Sequence, residues 1–399
     1  MDTHLGLRAS ELAILLCLAV GGACWSCALV CAFFFRRRRT ESAFRFDALP
    51  PVTLLKPVYG LEKALRENLR TACLQRYPEY QVVLSVQRRD DPAIPLLREL
   101  EQEFGAARVS VVIETVVVGM NGKINNLAGA LPHARHDIIV ISDSDVRLAP
   151  DFLRQIVAPL ADPSVGAVSS FFRATSADNC FERLELLGLN ADQFAMALLA
   201  SATGSVDFCF GVSTALSQRT LAQIGGFEAL GDTLVEDTEM GRRIGALGKR
   251  VRAIPHVVDV TVDLPSARAW ASKQVYWEKN ALAAVPKLFA AGFVLRIIPL
   301  GLVFATLRGW DSFGALVLAA ATLLRLASAA AVLGIALGDR EGLQALWLLP
   351  LKDLLSLVWA ARALASKTVV WRGVELALGH DGRLAKSAET APSSTEQSS

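Results

Sequence analysis

The chain has 399 residues, of which 52% are hydrophobic and 20% charged, and its formal net charge is +2. The two charge classes nearly balance, and the densest basic cluster adjoins an apolar run, which favours anionic lipid over nucleic acid as a partner. Most of the seven cysteines lie in the first apolar run, including Cys24-Trp-Ser-Cys27, a setting that argues against a zinc site or a disulfide framework.

An uncharged run from Leu12 to Phe35 ends at Arg36-Arg37-Arg38-Arg39. It is long enough to cross a hydrocarbon core of ~30 Å as a helix. A signal peptide would carry its basic residues before a shorter apolar stretch, so we predict a membrane anchor over 11–35. Basic residues beside a span favour the cytoplasmic side, so residues 1–10 are expected outside and the chain after Arg39 inside.

From residue 36 to 286, short β-rich runs alternate with helical patterns, which predicts one α/β domain with a mostly parallel, doubly wound sheet. The predicted strands are Val52–Val58, Gln81–Val86, Val109–Glu114 and Asp137–Ser142, and helical spacing covers Leu61–Leu74 and Pro95–Phe104. Ligands of such sheets bind at the carboxyl ends of the strands. Asp90-Asp91 and Asp143-Ser144-Asp145 follow two of these strands.

After Pro286 the chain is apolar again, over Leu288–Leu307, Phe313–Leu337 and Leu343–Leu364. Charged residues interrupt these stretches, so the helices are expected to turn the charges inward or to lie partly in the interface. We predict a membrane region over 287–375 with about three helices and an interfacial segment, hence about four spans in all. Residues 376–399 are expected to form a disordered tail.

Asp143 and Asp145 are two carboxylates at i and i+2 just beyond a buried strand. Such a turn can present oxygen ligands to Mg²⁺ or Mn²⁺ while the cation also holds a diphosphate. A solvated turn, with Asp145 capping the next element, explains the same residues. Asp91 stands before Pro92, where a carboxylate is also ordinary turn chemistry.

Glu236-Asp237 stands at the predicted start of a helix, after Gly231-Asp-Thr-Leu-Val235. A base at a helix start can accept a proton from a hydroxyl, although helix capping is the commoner role of such a residue. Lys123, Asn125 and Asn126 at a loop-to-helix junction could hold phosphate or ribose oxygens, or form a solvated loop. Aromatic residues just before the apolar tail, Trp270, Tyr276 and Trp277, also suit a membrane interface.

Several motifs in order resemble the ceramide glucosyltransferase family and its bacterial relatives, which include glycosyltransferases associated with hopanoid biosynthesis. They are Val86-Gln-Arg-Arg-Asp-Asp-Pro-Ala-Ile94, Lys123-Ile-Asn-Asn-Leu127, Asp143-Ser-Asp145, Glu236-Asp237 and Thr368-Val-Val-Trp-Arg-Gly373. The resemblance covers almost the whole chain. It implies a GT-A fold with a mixed sheet and inverting transfer of a sugar, glucose above others, from a UDP-sugar to a ceramide-like lipid hydroxyl. A hopanoid or another lipid is the alternative acceptor, and the expected site is the cytoplasmic face of a membrane, a bacterial inner membrane in particular.

The resemblance also implies roles for individual residues. Asp91 would lie near the uracil and ribose, and Asp143, completed by Asp145, would act with Mg²⁺ or Mn²⁺ and the diphosphate. Asp237, with Glu236 beside it, would be the general base. Lys123 and Asn126 would assist nucleotide-sugar binding.

The closing motif of the family departs from its pattern here. The family has Gln or Arg, two residues, then Arg-Trp, and this chain has Lys273-Gln-Val-Tyr276-Trp277. Tyrosine cannot supply the fixed positive charge of arginine. Either Lys273 or Lys279 supplies that charge, or the acceptor pocket differs.

Two other classes share some of these features. A strand followed by Asp143-Ser-Asp145-Val146 also resembles the opening motif of haloacid-dehalogenase phosphatases, whose first aspartate is the nucleophile. That family begins its core with this strand, whereas here other strands and motifs precede it. A membrane lipid-binding protein without activity is the other alternative, but it leaves the separated acidic sites unexplained.

Overall fold

The computed structural model describes residues 7–41, 49–202, 208–366, 368–371, 374–379 and 382–386. Its first element is a long helix, α1 (Ala9–Glu41), which contains the predicted apolar run. Leu16, Phe33 and Phe34 on this helix are largely exposed. This is the surface expected of a helix that contacts lipid.

The amino-terminal half of the domain alternates strands and helices as the sequence predicts. Its elements are β1 (Val52–Pro57), α2 (Leu65–Cys73), β2 (Tyr80–Val86), α3 (Ile94–Phe104), β3 (Val109–Ile113), α4 (Gly122–Ala130) and β4 (Ile138–Ser142). Each predicted strand is found, with ends that differ by a residue or so.

The second half is less regular. Its elements are β5 (Val146–Arg147), α5 (Phe152–Val157), β6 (Val165–Thr175), α6 (Cys180–Leu187), α7 (Phe194–Ala202), β7 (Ser213–Ser217), α8 (Gln218–Gln223), α9 (Glu236–Ala246), β8 (Arg250–Thr261) and α10 (Ala267–Ala284). A π-helical segment, Gly188–Gln193, joins α6 to α7 without a break.

Within the described ranges, eight strands form one sheet in the order β3-β2-β1-β4-β7-β6-β8-β5. The strands β1 to β4 pair in parallel, whereas β7 is antiparallel to β4 and β6, and β5 is antiparallel to β8. The sheet is therefore mixed. Because β1, β2 and β4 are parallel, the segments that follow them meet at one edge.

Both faces of the sheet are buried, which explains the continuous apolar strands. Leu54 and Leu55 are adjacent on β1 and fully buried, yet they belong to different core clusters because successive side chains alternate between faces. Leu69 of α2 packs on one face, and Leu127 of α4 packs on the other.

The carboxy-terminal region contains α11 (Pro286–Ala291), α12 (Ile297–Leu307), α13 (Ser312–Ala331), α14 (Arg340–Ala345), α15 (Leu349–Ala365), β9 (Thr368–Trp371), β10 (Val374–Leu378) and β11 (Leu384–Lys386). In the described part, three helices are long and apolar enough to span a membrane: Ala9–Arg37, Ser312–Leu337 and Arg340–Ala365. The fourth predicted span is a pair of short helices, Pro286–Leu295 and Ile297–Leu307, bent by 58°. The number of candidate spans is four if this bent pair crosses the membrane as a single span.

Three charged residues of the apolar helices, Arg325, Lys352 and Asp353, turn inward, whereas Arg362 near the end of α15 is exposed. The side chain of Arg325 on α13 is only 1% exposed and makes ion pairs with Asp192 and Asp353. Lys352 on α15 pairs with the same two aspartates. The four charges balance, which offsets the cost of burying each one.

The helix α1 packs on both the other apolar helices and the α/β domain. The indole N–H of Trp25 donates to the backbone oxygen of Leu295 at 2.8 Å. Nearer its end, the ring of Phe35 meets Phe171 of β6 and Phe194 of α7 edge to face, with centroids 5.2 and 5.4 Å apart. The anchor is thus part of the packed structure.

The prediction of a disordered tail from residue 376 onward is wrong for the first part of that segment. β10 extends to Leu378 and β11 covers Leu384–Lys386, so residues of the tail complete a three-stranded sheet with β9. Alternation places Leu376 and Leu384 inward, where they are 5% and 6% exposed and pack with Leu234. Residues 387–399 of the predicted tail lie outside the described residues, as do residues 1–6.

Candidate active site

The turn Asp143-Ser144-Asp145 directly follows β4, at the edge where the parallel strands end. Beneath it lies Lys56, which is fully buried at the end of β1. Its ammonium donates to Oγ of Ser142 at 3.1 Å and to the backbone oxygens of Asp143 and Val146 at 2.6 and 3.1 Å. All three of its protons are therefore used to hold the turn.

The carboxylate of Asp145 lies in a strongly acidic environment. Burial, followed by the charges of Asp143 and Glu62, raises the pKa of Asp145 to about 7. Its Oδ1 atom is buried and has no hydrogen-bond partner among the described residues. A divalent cation would satisfy this oxygen and favour the ionised form.

Lys123 joins two of the predicted acidic sites. Its Nζ atom lies 2.8 Å from Oδ1 of Asp143 and 3.0 Å from Oε1 of Glu236, and it donates to the backbone oxygen of Gly211 at 3.0 Å. Burial alone would lower the pKa of Lys123, but the two carboxylates raise it above its ordinary value. Residues far apart in sequence thus form one cluster.

The helix α4 that carries Lys123 is fixed at its start. The Asn121 side chain accepts hydrogen bonds from the backbone N–H groups of Lys123 and Ile124, an N-cap. Its amide nitrogen also donates to the backbone oxygen of Thr233 at 2.9 Å, in the segment before α9. Asn121 therefore links the two helices whose first residues contribute to the cluster.

Asp237 is in the first turn of α9, beside Glu236. Burial and the charge of Glu236 raise the pKa of Asp237 to about 7, although Lys123 acts in the opposite direction. One carboxylate oxygen, Oδ1, accepts from the backbone N–H of Thr238 at 2.7 Å. A carboxyl group with a pKa near neutrality suits proton transfer at physiological pH.

The other carboxylate oxygen of Asp237 lies against Gly211. A Cβ atom at position 211 would stand only 2.8 Å from Oδ2 of Asp237. A side chain at position 211 would therefore have to displace the Asp237 carboxylate. The two residues line a cavity together with Lys123, Cys209, Thr214, Glu236 and apolar side chains of α4 and α9.

The predicted nucleotide-binding amides make structural contacts. Asn126 donates to the backbone oxygens of Val58 and Ser85, both at 3.0 Å, and so ties together the ends of β1 and β2. Asn125 holds the backbone of Val118 and Gly119. The buried Oδ1 of Asn126 has no partner in the described ranges.

Asp91 lies after β2, apart from the Lys123 contacts. Its carboxylate accepts from the backbone N–H of Gly60 at 3.0 Å and from that of Ala93 at 2.9 Å. It thereby joins the loops that follow β1 and β2. The side chain is 5% exposed.

The aromatic residues of the closing motif lie on α10. The indole N–H of Trp277 donates to Oε1 of Glu185 at 2.8 Å, and Nζ of Lys273 stands 4.8 Å from the centroid of the indole ring. Lys273 is close enough to Asp145 to act against the rise in the pKa of that carboxyl. Burial raises the pKa of Tyr276 to about 12, and the nearby Glu236 adds to the rise.

Lys279, the other candidate cation on α10, faces elsewhere. It is 3% exposed, and its ammonium donates to Oγ of Ser366 at 2.9 Å and to the backbone oxygen of Thr368. Its contacts are with β9 and the residues before it. Of the two lysines, Lys273 is the one near the acidic turn.

Sequence reasoning missed Lys56, Gly211 and Glu185. A lysine inside an apolar strand was a usable signal for Lys56, because a buried charge needs partners. Glu185 gave a weaker signal, because α6 also contains Glu182 and Arg183. Gly211 offered none, since its role depends on a contact with a residue far along the chain.

Comparison with known proteins gives the family. The model of the family described as "Glycosyl transferase family 21" matches residues 13–384. The chain belongs to this family. This family is one of glycosyltransferases, so the phosphatase and lipid-binding alternatives are set aside.

Among its relatives, Ceramide glucosyltransferase 1 of Caenorhabditis elegans is 23% identical over 278 residues, which cover 69% of this chain and 59% of that protein. The ceramide glucosyltransferase of Gibberella zeae is 33% identical over 134 residues, 31% of this chain and 25% of that protein. The Probable glycosyltransferase YdaM of Bacillus subtilis is 21% identical over 271 residues, 66% of this chain and 62% of that protein. The matches thus span about 60% of the length of the first and last of these relatives.

A solved structure agrees on the fold. The mannosyltransferase PcManGT from Pyrobaculum calidifontis, in complex with GDP-Man and Mn²⁺, superposes with a TM-score of 0.51 and 22% identity, over 87% of this chain and 99% of that one. The mixed α/β sheet is accordingly of the GT-A type, and the predicted fold class is confirmed.

Proposed function

We propose that the protein transfers a sugar, glucose in the first instance, from a UDP-sugar to the hydroxyl of a membrane lipid with inversion at the anomeric carbon. The observation that carries the proposal is the bridge of Lys123 between Asp143 and Glu236, at 2.8 and 3.0 Å. It joins the candidate diphosphate end of the site to the candidate base next to Glu236. Single displacement requires both functions within one cluster.

Asp237 would act as the general base. Its raised pKa lets the carboxylate accept the proton of an acceptor hydroxyl and still ionise near neutral pH. Its Oδ1 is held by the N–H of Thr238, and the missing side chain at Gly211 leaves room for its Oδ2. The carboxylate is thus fixed in orientation before the substrate arrives.

Asp143 and Asp145 fit a divalent cation in composition. Mg²⁺ and Mn²⁺ are commonly held by one or two carboxylates together with substrate phosphates. No group of three or more acidic, histidine or cysteine side chains in the described ranges is arranged to hold a metal ion by itself. The unpartnered Oδ1 of Asp145 supports a ligand role there. When bound, the cation would neutralise charge that develops on the leaving diphosphate.

Lys273 would supply the positive charge that the family places on an arginine. It acts on the charge of Asp145, whereas Lys279 contacts β9. Asp91, Lys123 and Asn126 would contribute to nucleotide-sugar binding. Tyr276 and Trp277, on the same helix, would border the acceptor.

The acceptor would reach the site from the membrane. The bent helices α11 and α12 directly follow α10, so the closing motif lies close in sequence to apolar helices. Arg36 and Arg37 are exposed at the end of the α1 span, which favours a cytoplasmic position for the domain, where UDP-sugars are made. The names of several relatives make ceramide the first acceptor to test.

The test is an assay of purified protein with radiolabelled donors and defined lipids. UDP-glucose, UDP-galactose, UDP-N-acetylglucosamine and GDP-mannose are each combined with ceramide, diacylglycerol or a hopanoid, and the lipid extract is chromatographed. We expect label from UDP-glucose in ceramide. Label in a hopanoid or diacylglycerol would change the acceptor, and label from GDP-mannose alone would reject the UDP-sugar proposal.

A pair of variants on α9 tests the base. Asp237→Asn should abolish transfer, while Glu239→Gln, two residues along the helix, removes ion pairs with Arg242 and Arg243 and should leave transfer unchanged. Full activity of Asp237→Asn would reject the assignment of the base.

A further inference from the structure

Glu185 is a buried carboxylate that the proposed mechanism does not use. It lies on α6 and is 2% exposed. Its oxygens accept hydrogen bonds from Nε2 of Gln274 and from Nε1 of Trp277 at 2.8 Å. Both donors are on α10, one turn apart, so a single carboxylate fixes one face of that helix.

The same face carries Lys273. Its ammonium stands 4.8 Å from the centroid of the Trp277 ring and 5.5 Å from that of Tyr276. Trp277 is thus held by Glu185 at its N–H and contacts Lys273 with its ring. Burial raises the pKa of Glu185, and Lys273 is the first charge that acts against this rise. The charge of Lys273 therefore acts on both Glu185 and Asp145.

The helix that carries Glu185 is itself anchored. α6 continues through the π-helical segment Gly188–Gln193, which includes Asp192, and Asp192 pairs with Arg325 and Lys352 of the apolar helices. A carboxylate on such a fixed helix is a rigid reference point for α10.

We propose that Glu185 is a positioning residue that holds Trp277 and, through it, directs Lys273 toward the diphosphate of the donor. The inference rests on the proposed function, because it requires a diphosphate beside Asp145. Glu185 touches α10 and acts through Lys273. Its loss should therefore weaken recognition of the diphosphate and leave recognition of the nucleoside intact.

The test compares UDP with uridine. The variant Glu185→Gln is made in the full-length protein. It keeps the shape of the side chain, but it replaces the carboxylate that accepts from Gln274 and Trp277 by a neutral amide and so removes the negative charge near Lys273. We expect UDP to bind about tenfold more weakly, as suits the loss of a hydrogen-bonded charge, while uridine binding is unchanged. The KM for the donor should rise more than the KM for the lipid acceptor, which Trp277 would border.

The matched control is Glu182→Gln. Glu182 lies one turn earlier on α6 and is 3% exposed, but it pairs with Lys63 rather than α10. The Glu182→Gln variant removes a buried charge from the same helix and should bind UDP and uridine as tightly as the native protein does. If both variants weaken both ligands equally, Glu185 has only a structural role and the proposal is rejected.

A double-mutant cycle tests whether Glu185 acts through Lys273. Lys273→Met should weaken UDP binding by itself, and adding Glu185→Gln should cause no further loss, because the group that Glu185 directs is then absent. Additive losses would overturn the proposal. If the native protein binds UDP but transfers no sugar, the proposed function fails while this cycle still decides the role of Glu185.

Discussion

Lys123 lies 2.8 Å from Asp143 and so connects α4 to the turn after β4. The same ammonium reaches Glu236 at the start of α9, 3.0 Å away. One cation thus compensates two carboxylates, with side-chain exposures of 29% and 14%. Removal of this cation, whose side chain is 18% exposed, leaves uncompensated charge.

We therefore expect Lys123→Met to destabilise the fold by roughly 3 kcal/mol and to lower turnover by about 100-fold, because charge stabilisation in the site is lost as well. Thermal unfolding in detergent and the sugar-transfer assay measure the two effects. Lys63→Met is the control, since Lys63 also pairs with two carboxylates, Asp178 and Glu182, outside the candidate site. It should lose stability but keep turnover. Equal losses of turnover in the two variants would contradict the role given to Lys123.

The rate of transfer should depend on the ionisation of Asp237. Its pKa of about 7 means that the base is protonated in acid and ionised above neutrality. The rate should therefore rise tenfold per pH unit below about 7 and level off above it. The measurement is a pH–rate profile at saturating Mn²⁺, because a bound cation keeps Asp145 ionised throughout. A flat profile between pH 5 and 8 would contradict Asp237 as the base.

The same pKa has a consequence for stability. The folded protein keeps the Asp237 proton up to about pH 7, whereas an unfolded aspartate, with an ordinary pKa of 3.8, has already lost it. Stability from this group is therefore present in acid and is lost as pH rises from about 4 to 7. Asp237→Asn removes that cost and should stabilise the fold at pH 8 by on the order of 1–3 kcal/mol while it abolishes transfer. Thermal unfolding at pH 8 and pH 5 tests this, and an equal gain at both would reject the electrostatic explanation.

Local patterns predict much of this structure. The pattern of apolar residues alone predicts the strands β1 to β4. It also predicts that the acidic residues after β2 and β4 lie at the carboxyl ends of those strands. The antiparallel β7 was not predicted because Ser-Thr-Ala-Leu-Ser, Ser213–Ser217, is short and polar, and its place between β4 and β6 depends on long-range pairing.

The contacts within the candidate site were also beyond sequence reasoning. Lys123, Asp143 and Glu236 could each be singled out, but their meeting depends on how three loops approach one another. The bend beside Arg296 was missed because an average of hydropathy does not detect a local break in a helix. The side chain of Arg296 pairs with Glu278 of α10 at 2.6 Å, a tertiary contact that local sequence patterns do not predict.

A side chain at position 211 should displace the proposed base. A Cβ at this position would lie 2.8 Å from Oδ2 of Asp237, so Gly211→Ala must displace the carboxylate. A displaced base can lower turnover by up to about 100-fold, while UDP binding should change little. Gly245→Ala on α9 is the control, because its Cβ would meet open space and alanine favours a helix by about 1 kcal/mol. Native turnover in Gly211→Ala would show that the close contact is not required.

The stability of the apolar helices should depend on charge balance in one cluster, formed by Asp192, Arg325, Lys352 and Asp353. The Arg325 guanidinium is 3.0 Å from Asp353 and also stacks on the Trp25 ring, 3.9 Å from its centroid. Arg325→Met leaves the buried Asp353 and the partly exposed Asp192 with one lysine and should destabilise the fold by about 3 kcal/mol.

Removal of one carboxylate as well should reverse most of this loss. The double variant Arg325→Met/Asp353→Leu keeps the Lys352–Asp192 pair and restores neutrality, and apolar replacement of a buried pair is often close to neutral. Arg66→Met, which breaks an exposed pair with Glu99, should change stability by less than about 1 kcal/mol. Thermal unfolding in detergent compares the three. If the double variant is no more stable than Arg325→Met, the helices depend on the shape and stacking of the arginine, and charge balance is not what holds them.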